Sequence, residues 1–315
     1  MVEIALPRTM PGVERRPRLG YAMTLVAASL FAVNGTVAKV ILSSGITPLR
    51  LTELRATFAF VGLALVLLVT APARLRLSRR EIPFLVFYGI CGFALVQSLY
   101  LVAIHRLPIG IGLLLEFTAP VLVALWARVA WHEPVRARVW LALGLSLAGL
   151  ALVAEVWSGI TLDGLGIAAG LCSAVVLATY FLAGERGVGR RDPLSLVCYS
   201  LLFASLFWAV TQPWWSFPFE LLHGSMSLHG NLASTSVPLW LLYVWLVVLG
   251  TMVPFALSIG ALRHLPATTV GIIATFEPVA ASVVAWVWLG ESLDAAQLAG
   301  GAVVLAGIVL AQTSR

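Results

Sequence analysis

The sequence predicts an all-α polytopic membrane protein whose ten transmembrane helices form two inverted five-helix repeats. Three observations carry this. Hydrophobic residues make up 60% of the 315 and charged residues 11%, with a mean hydropathy of +0.99, whereas a soluble domain holds about 25% charged residues. Apolar runs long enough to cross a bilayer, about 20 residues each, follow one another with short polar breaks. Finally, one stretch occurs twice. An offset of 158 residues turns Leu107-Pro108 into Leu265-Pro266, Pro120-Val121 into Pro278-Val279, Glu133 into Glu291 and Leu147-Ala148-Gly149 into Leu305-Ala306-Gly307. No gap is needed between Ala103–Val153 and Ala261–Ala311. Chance pairs Leu with Leu in apolar segments but rarely aligns Pro, Glu and Gly in register, so an internal duplication is read.

Residues 1–18, with Arg8, Arg15, Arg16 and Arg18, form a polar, basic stretch read as a cytoplasmic tail before an uncleaved first helix. The first repeat is placed at 19–157, with spans at 19–42, 50–71, 83–104, 109–130 and 138–157. The second is placed at 163–312, with spans at 163–183, 193–212, 238–262, 266–289 and 295–312. Arg74, Arg76, Arg79 and Arg80 follow the second span, Arg136 and Arg138 the fourth, and Arg186, Arg190 and Arg191 the sixth, so all fall on one side with the basic N-terminus. The loop from Pro213 to Val237, on the other side, has no Lys or Arg. By the positive-inside rule both termini are cytoplasmic, and the net charge of +6 reads as topology rather than nucleic-acid binding. An odd number of spans per repeat inverts the second repeat and places a binding site near the midplane between the halves.

In the outer loop Trp214, Trp215, Phe217 and Phe219 read as an interfacial aromatic belt on a short helix. His223 and His229 lack a nearby carboxylate or Cys and read as solvated. Cys91, Cys172 and Cys198 lie in apolar runs without a C-x-x-C and read as small buried residues, not as a disulfide framework or a zinc site. Gly166 with Gly170, and Gly144 with Ala148, offer small faces for close helix contact.

Charges inside the spans are the candidates for function, because each is costly there unless it meets a partner, a cavity or a pathway. Glu116 sits several residues inside the fourth span and must pair with a base or take up a proton. Pro120, four residues on, has no N–H to give the Glu116 carbonyl. Pro278 breaks the ninth span at the matching depth, with Glu277 beside it. Lys39, five residues after Asn34, either snorkels to the outer headgroups or lies beside the substrate path. Gln97, Tyr100, Tyr180 and Thr275 could line the same cavity or simply bond neighbouring helices. Glu53 and Arg55 open the second span and read as a mutually neutralising or interfacial pair; Glu155 reads as interfacial.

The stretches W-H-E-P-V-R-A-R-V-W-L-A-L-G-L-S-L-A-G-L and F-E-P-V-A-A-S-V-V-A-W-V-W-L-G-E-S-L-D-A-A-Q-L-A-G-G-A-V-V-L-A-G resemble the EamA-type repeats of the drug/metabolite transporter superfamily. Asn34 with Lys39, and Arg55, are similar to that family's first repeat. L-E-F-T-A-P around Glu116 resembles the threonine/homoserine exporter branch. His132-Glu133-Pro134 departs from the family's usual Leu/Gly-Glu. The resemblance runs from about Gly20 to Gln312 and implies a ten-helix inverted-repeat carrier of the bacterial inner membrane that exports amino acids or other small metabolites.

A secondary transporter working by alternating access around Glu116 and Glu277 is therefore expected, with a small-molecule substrate and the lipid bilayer as partners. No cofactor, metal or nucleic acid is expected, and a homodimer is left open. No G-x-x-x-x-G-K-[ST] motif supports ATP hydrolysis in this chain. The rival classes are an intramembrane enzyme, for which no H-E-x-x-H or G-x-S-x-G is present, and a membrane sensor or assembly partner, which would need an output domain.

Overall fold

The computed structural model describes residues 15–107, 109–132, 134–156, 163–290 and 294–312. Most of the expected tail lies outside the described residues, as do Pro108, Glu133 and Glu291 of the repeated stretch. Fourteen α-helices among the described residues form ten segments. The first two are α1 (Pro17–Leu42) and α2 (Pro48–Thr70); the third joins α3 (Ile82–Gly89) to α4 (Val96–Arg106) through a π turn at Ile90–Leu95. The fourth is α5 (Ile109–Glu116) with α6 (Ala119–Val129), and the fifth is α7 (Ala137–Val153). Then come α8 (Gly164–Val188) and α9 (Pro193–Thr211). The eighth joins α10 (Leu239–Val247) to α11 (Val253–Ala261) through a π turn at Val248–Met252. The ninth is α12 (Ala267–Ala274) with α13 (Phe276–Val284), running into a π turn at Ala285–Leu289, and α14 (Ala295–Gln312) is the tenth.

Eight segments are long and apolar enough to cross a membrane, while Ala137–Val153 and Ala295–Ala311 are shorter than the spans expected there. Leu65, Val69, Val175, Val210 and Leu298 are more than half exposed, the outward apolar coat of a lipid-facing bundle. Helix starts follow local chemistry. Thr47 and Asp192 each accept a backbone N–H beside a proline in the first turn, and Asp163 accepts from Gly166 at 2.8 Å. That N–H, ahead of the charge of Arg106, holds the exposed Asp163 carboxyl below the usual carboxylate range.

The same series of elements occurs in both halves, and the contacts between halves are reciprocal. Helices α7 and α14 make the most extensive contact in the bundle. A β-carbon on Gly149 would strike the Gly300 carbonyl and the Val304 amide, and one on Gly307 would strike the Ala142 carbonyl and Ser146. Gly20 abuts Leu265 as Gly166 abuts Leu107. Helix α1 packs on α11 and α13, and α8 on α4 and α6, which hold the same places in the other half. Of the glycine faces read from sequence, Gly166 and Gly170 do pack closely, against Leu107 and Leu115. Gly144 and Ala148 do not: both are exposed, and nothing lies within 4 Å of a β-carbon at Gly144. The close approach falls instead one residue on, at Gly149.

The outer loop is more built than an interfacial helix. It holds 3₁₀ turns at Trp214–Ser216 and Phe219–Leu222 and a hairpin of β1 (Ser225–Ser227) with β2 (Ser236–Pro238), paired Met226 to Val237. Phe217 is buried and Trp214 half-buried, so only Trp215 and Phe219 remain as exposed belt residues. The hairpin tip bridges two segments. His229 Nε2 lies 3.0 Å from Ser43 Oγ, Trp288 Nε1 donates to the Leu228 carbonyl and Asn231 Nδ2 to that of Val287. His223 and His229 are both exposed, as expected of solvated loop histidines, and His229 makes its contact with Ser43 at the surface. Cys198 is buried but Cys172 is exposed on α8, contrary to the expectation for it; all three thiols are free.

Candidate functional site

Two proline breaks and two π turns open the middle of the bundle. Helix α5 ends at Glu116 and α6 restarts at Ala119 with Pro120 in its first turn. Helix α12 ends at Ala274 and α13 restarts at Phe276, with Glu277 in its first turn and Pro278 next. The carboxylate thus precedes the break in one half and follows it in the other. The breaks meet at the centre, where Pro120 lies against Gly271.

Between them is a cavity of about 420 Å³, within the range of small-ligand pockets. Asn34, Lys39, Gln97, Tyr100, Glu116, Tyr180 and Glu277 all line it, together with Pro278. Thr275 and Pro120 do not line it. Thr275 is fully buried and its hydroxyl donates to the Ile272 carbonyl at 2.6 Å, closing the end of α12, so it shapes the break from behind. Tyr180 sits in an aromatic wall, with ring centroids 5.6 Å from Phe93 and 6.0 Å from Phe255, separations at which ring pairs attract.

The carboxylates carry the electrostatics. Glu116 is buried and accepts a hydrogen bond from Ser173 Oγ of α8 at 2.9 Å, a partner the sequence reading did not find. Among the described residues it forms no ion pair within 4 Å, with Lys39, Arg55 or any other base. Its one hydrogen bond, worth about 1.5–3 kcal/mol for a charged group, does not cover a desolvation cost of several kcal/mol per buried ion. A purely structural ion pair is therefore not what holds it. Glu277 feels the charges of both Glu116 and Arg55, and Tyr100 lies within electrostatic reach of both carboxylates.

Arg55 overturns its expected assignment. Glu53 pairs with Arg50, at 2.7 Å, and Arg50 also ties down the outer loop through the Gln212 and Pro213 carbonyls. Arg55 is buried and lines the cavity instead. Its Nε donates to Thr251 Oγ1 at 3.1 Å, one terminal nitrogen to Gln97 Oε1 at 2.5 Å and the other to the Gly250 carbonyl at 2.9 Å. The signal was present in Pro254: it has no N–H to offer the carbonyl four residues earlier, that of Gly250.

The cavity reaches Leu42, Val153, Leu289 and Gln297 at the end of the bundle that carries the 213–238 loop. At the opposite end side chains close it. Gly20 abuts Leu265, the Arg16 N–H donates to His264 Nδ1 at 3.3 Å, and Glu185 accepts from the Ala267 N–H at 3.1 Å. Burial, then the charges of Arg263 and Arg16, hold the His264 ring below its usual range, which keeps that nitrogen available as an acceptor. Among the described residues no cluster could hold a metal ion.

The model of the EamA-like transporter family matches residues 18–154 and again 164–313. The threonine/homoserine exporter RhtA of Escherichia coli is 29% identical over 309 residues, covering 95% of this chain and 94% of that protein. An uncharacterized transporter of Archaeoglobus fulgidus is 29% identical over 294 residues, covering 93% and 96%. A solved crystal structure superposes with a TM-score of 0.72 at 19% identity over 92% of this chain and 96% of that one, a likeness of fold.

Proposed function

The chain belongs to the EamA-like transporter family and is a small-molecule membrane transporter, and from that premise we propose that it exports amino acids by alternating access. The two halves, 19–157 and 163–312, act as inverted five-helix repeats that rock about the central cavity. The reciprocal contacts of Gly149 with Gly300 and of Gly307 with Ala142 support that relation. The observation that carries the reading is Glu116, a buried carboxylate with no ion-pair partner among the described residues, which faces a cavity between the halves. It offers a seat for a substrate ammonium and a place for a proton, the coupling ion. The name of RhtA supports the substrate class.

Flux of radiolabelled L-threonine, L-homoserine and L-leucine in proteoliposomes with an imposed pH gradient tests this. Flux of at least one, dependent on the gradient, is expected. Cysteines placed at Ala28 and Ala281, one from each half on the cavity wall, should be protected from alkylation by that solute. No flux with any of the three, and no protection at either position, would remove the amino-acid reading.

The Arg asymmetry orients the protein with both termini in the cytoplasm of a bacterial cell and the 213–238 loop outside, so the cavity faces outward. In a background lacking the native cysteines, Ser225→Cys should react with an impermeant thiol reagent in intact spheroplasts. Ser78→Cys should react only after permeabilisation. Reversed labelling would invert the topology.

A further inference from the structure

We propose that Arg55 is the cavity's fixed anion receptor, the group that takes the carboxylate of the transported molecule, with the Asn34 amide beside it. The proposal rests on the cavity being the transport site, but not on which solute is carried.

A guanidinium has five N–H donors. Three are held by neutral acceptors from two places in the chain: Gln97 Oε1, and Thr251 Oγ1 with the Gly250 carbonyl. One N–H on each terminal nitrogen is left, the pair with which arginine grips a carboxylate in a fork. Its charge has no carboxylate within 4 Å among the described residues. A merely structural arginine at this depth would be expected to sit directly on one of the two carboxylates that share its cavity. Here neutral groups aim it, and Glu277 acts on its charge only through space, without a direct ion pair.

The frame is built for this. Pro254 denies the Gly250 carbonyl a helical donor and so presents it to Arg55. Gly250 has no β-carbon, and one there would fall on the Asn34 side chain. That side chain is 6% exposed and lines the cavity, and its Oδ1 is buried without a hydrogen-bond partner. Oδ1 is an acceptor packed against Gly250, so the half of the Asn34 amide that can donate to a carboxylate beside Arg55 is its NH2. Arg55 for an anionic group, Asn34 beside it and Glu116 or Glu277 for a cationic group together fit a zwitterion.

The test compares acids with their neutral amides on the purified full chain, by ligand-induced shift of its thermal unfolding. L-threonine and L-leucine should each act at concentrations at least about tenfold lower than L-threoninamide and L-leucinamide, a factor worth about 1.4 kcal/mol. In Arg55→Gln that ratio should fall to about one, through loss of affinity for the acids. Arg55→Lys keeps the charge but loses the fork and should fall between; it carries the test if the Gln variant does not fold. Amides that match acids in the unaltered chain, or a ratio that survives both substitutions, overturn the proposal. If no amino acid binds but succinate does, and Arg55→Gln abolishes that binding, the amino-acid reading falls while the anion receptor stands.

Discussion

Glu116→Gln is expected to fold and to exchange substrate across proteoliposomes while its pH-driven flux drops to the level of empty vesicles. The amide keeps the volume of the side chain and mimics the protonated acid, but it can neither release nor take up a proton. Ser173 Oγ can still donate to the amide oxygen, so the link between α5 and α8 is kept. Exchange moves no net proton and survives; net export against a gradient needs the proton and does not. The neighbour serves as the control. Glu277 shares its surroundings with Arg55, so Glu277→Gln should weaken substrate affinity more than it alters the pH dependence of flux. Unchanged pH-driven flux in Glu116→Gln would take that carboxylate out of the coupling step and leave it as a substrate contact only.

The fold class was legible because a bilayer restricts what can cross it. Every backbone group must be satisfied within the segment, so long apolar runs with few charges read directly as helices, and Pro120 and Pro278 marked where two of them break. What stayed illegible depends on the facing partner. The π turns at Ile90–Leu95 and Val248–Met252 leave no mark in hydrophobic pattern, because an extra residue per turn does not alter composition. The hairpin over Ser43 and Trp288 is short, polar and set by contacts with distant helix ends, none of which a local reading supplies.

At the site, the chemistry of single residues was legible but their pairing was not. Glu116 stood out because charge is rare at that depth. Arg55 was misassigned because Glu53 lies two residues away in sequence, although residues two apart on a helix do not face each other; Glu53 turns to Arg50, three residues back. Thr275 looked like a cavity residue for its polarity, but a hydroxyl at a helix end bonds the preceding turn by preference. Pro120 frees the Glu116 carbonyl, and by the same argument Pro254 frees that of Gly250, which points to a buried donor there.

Gly149→Leu should be the most destabilising single change on the surface of α7, and Gly144→Leu, on the same helix, close to neutral. At Gly149 a β-carbon would come within 2.7 Å of the Gly300 carbonyl and the Val304 amide. Both are backbone atoms, so no rotamer change relieves the clash and α7 and α14 must separate. Overpacking costs about 1–3 kcal/mol where side chains can yield; with backbone on the far side the loss should reach or exceed the top of that range. Helix contacts in lipid depend on such close approach, because apolar side chains gain little by leaving an apolar solvent. Gly144 is exposed with open space around it, so a leucine there faces lipid and should stay within about 0.5 kcal/mol. The check is the temperature at which half of the detergent-purified protein remains monodisperse. Similar losses at the two positions would mean that α7 and α14 do not meet along Gly149.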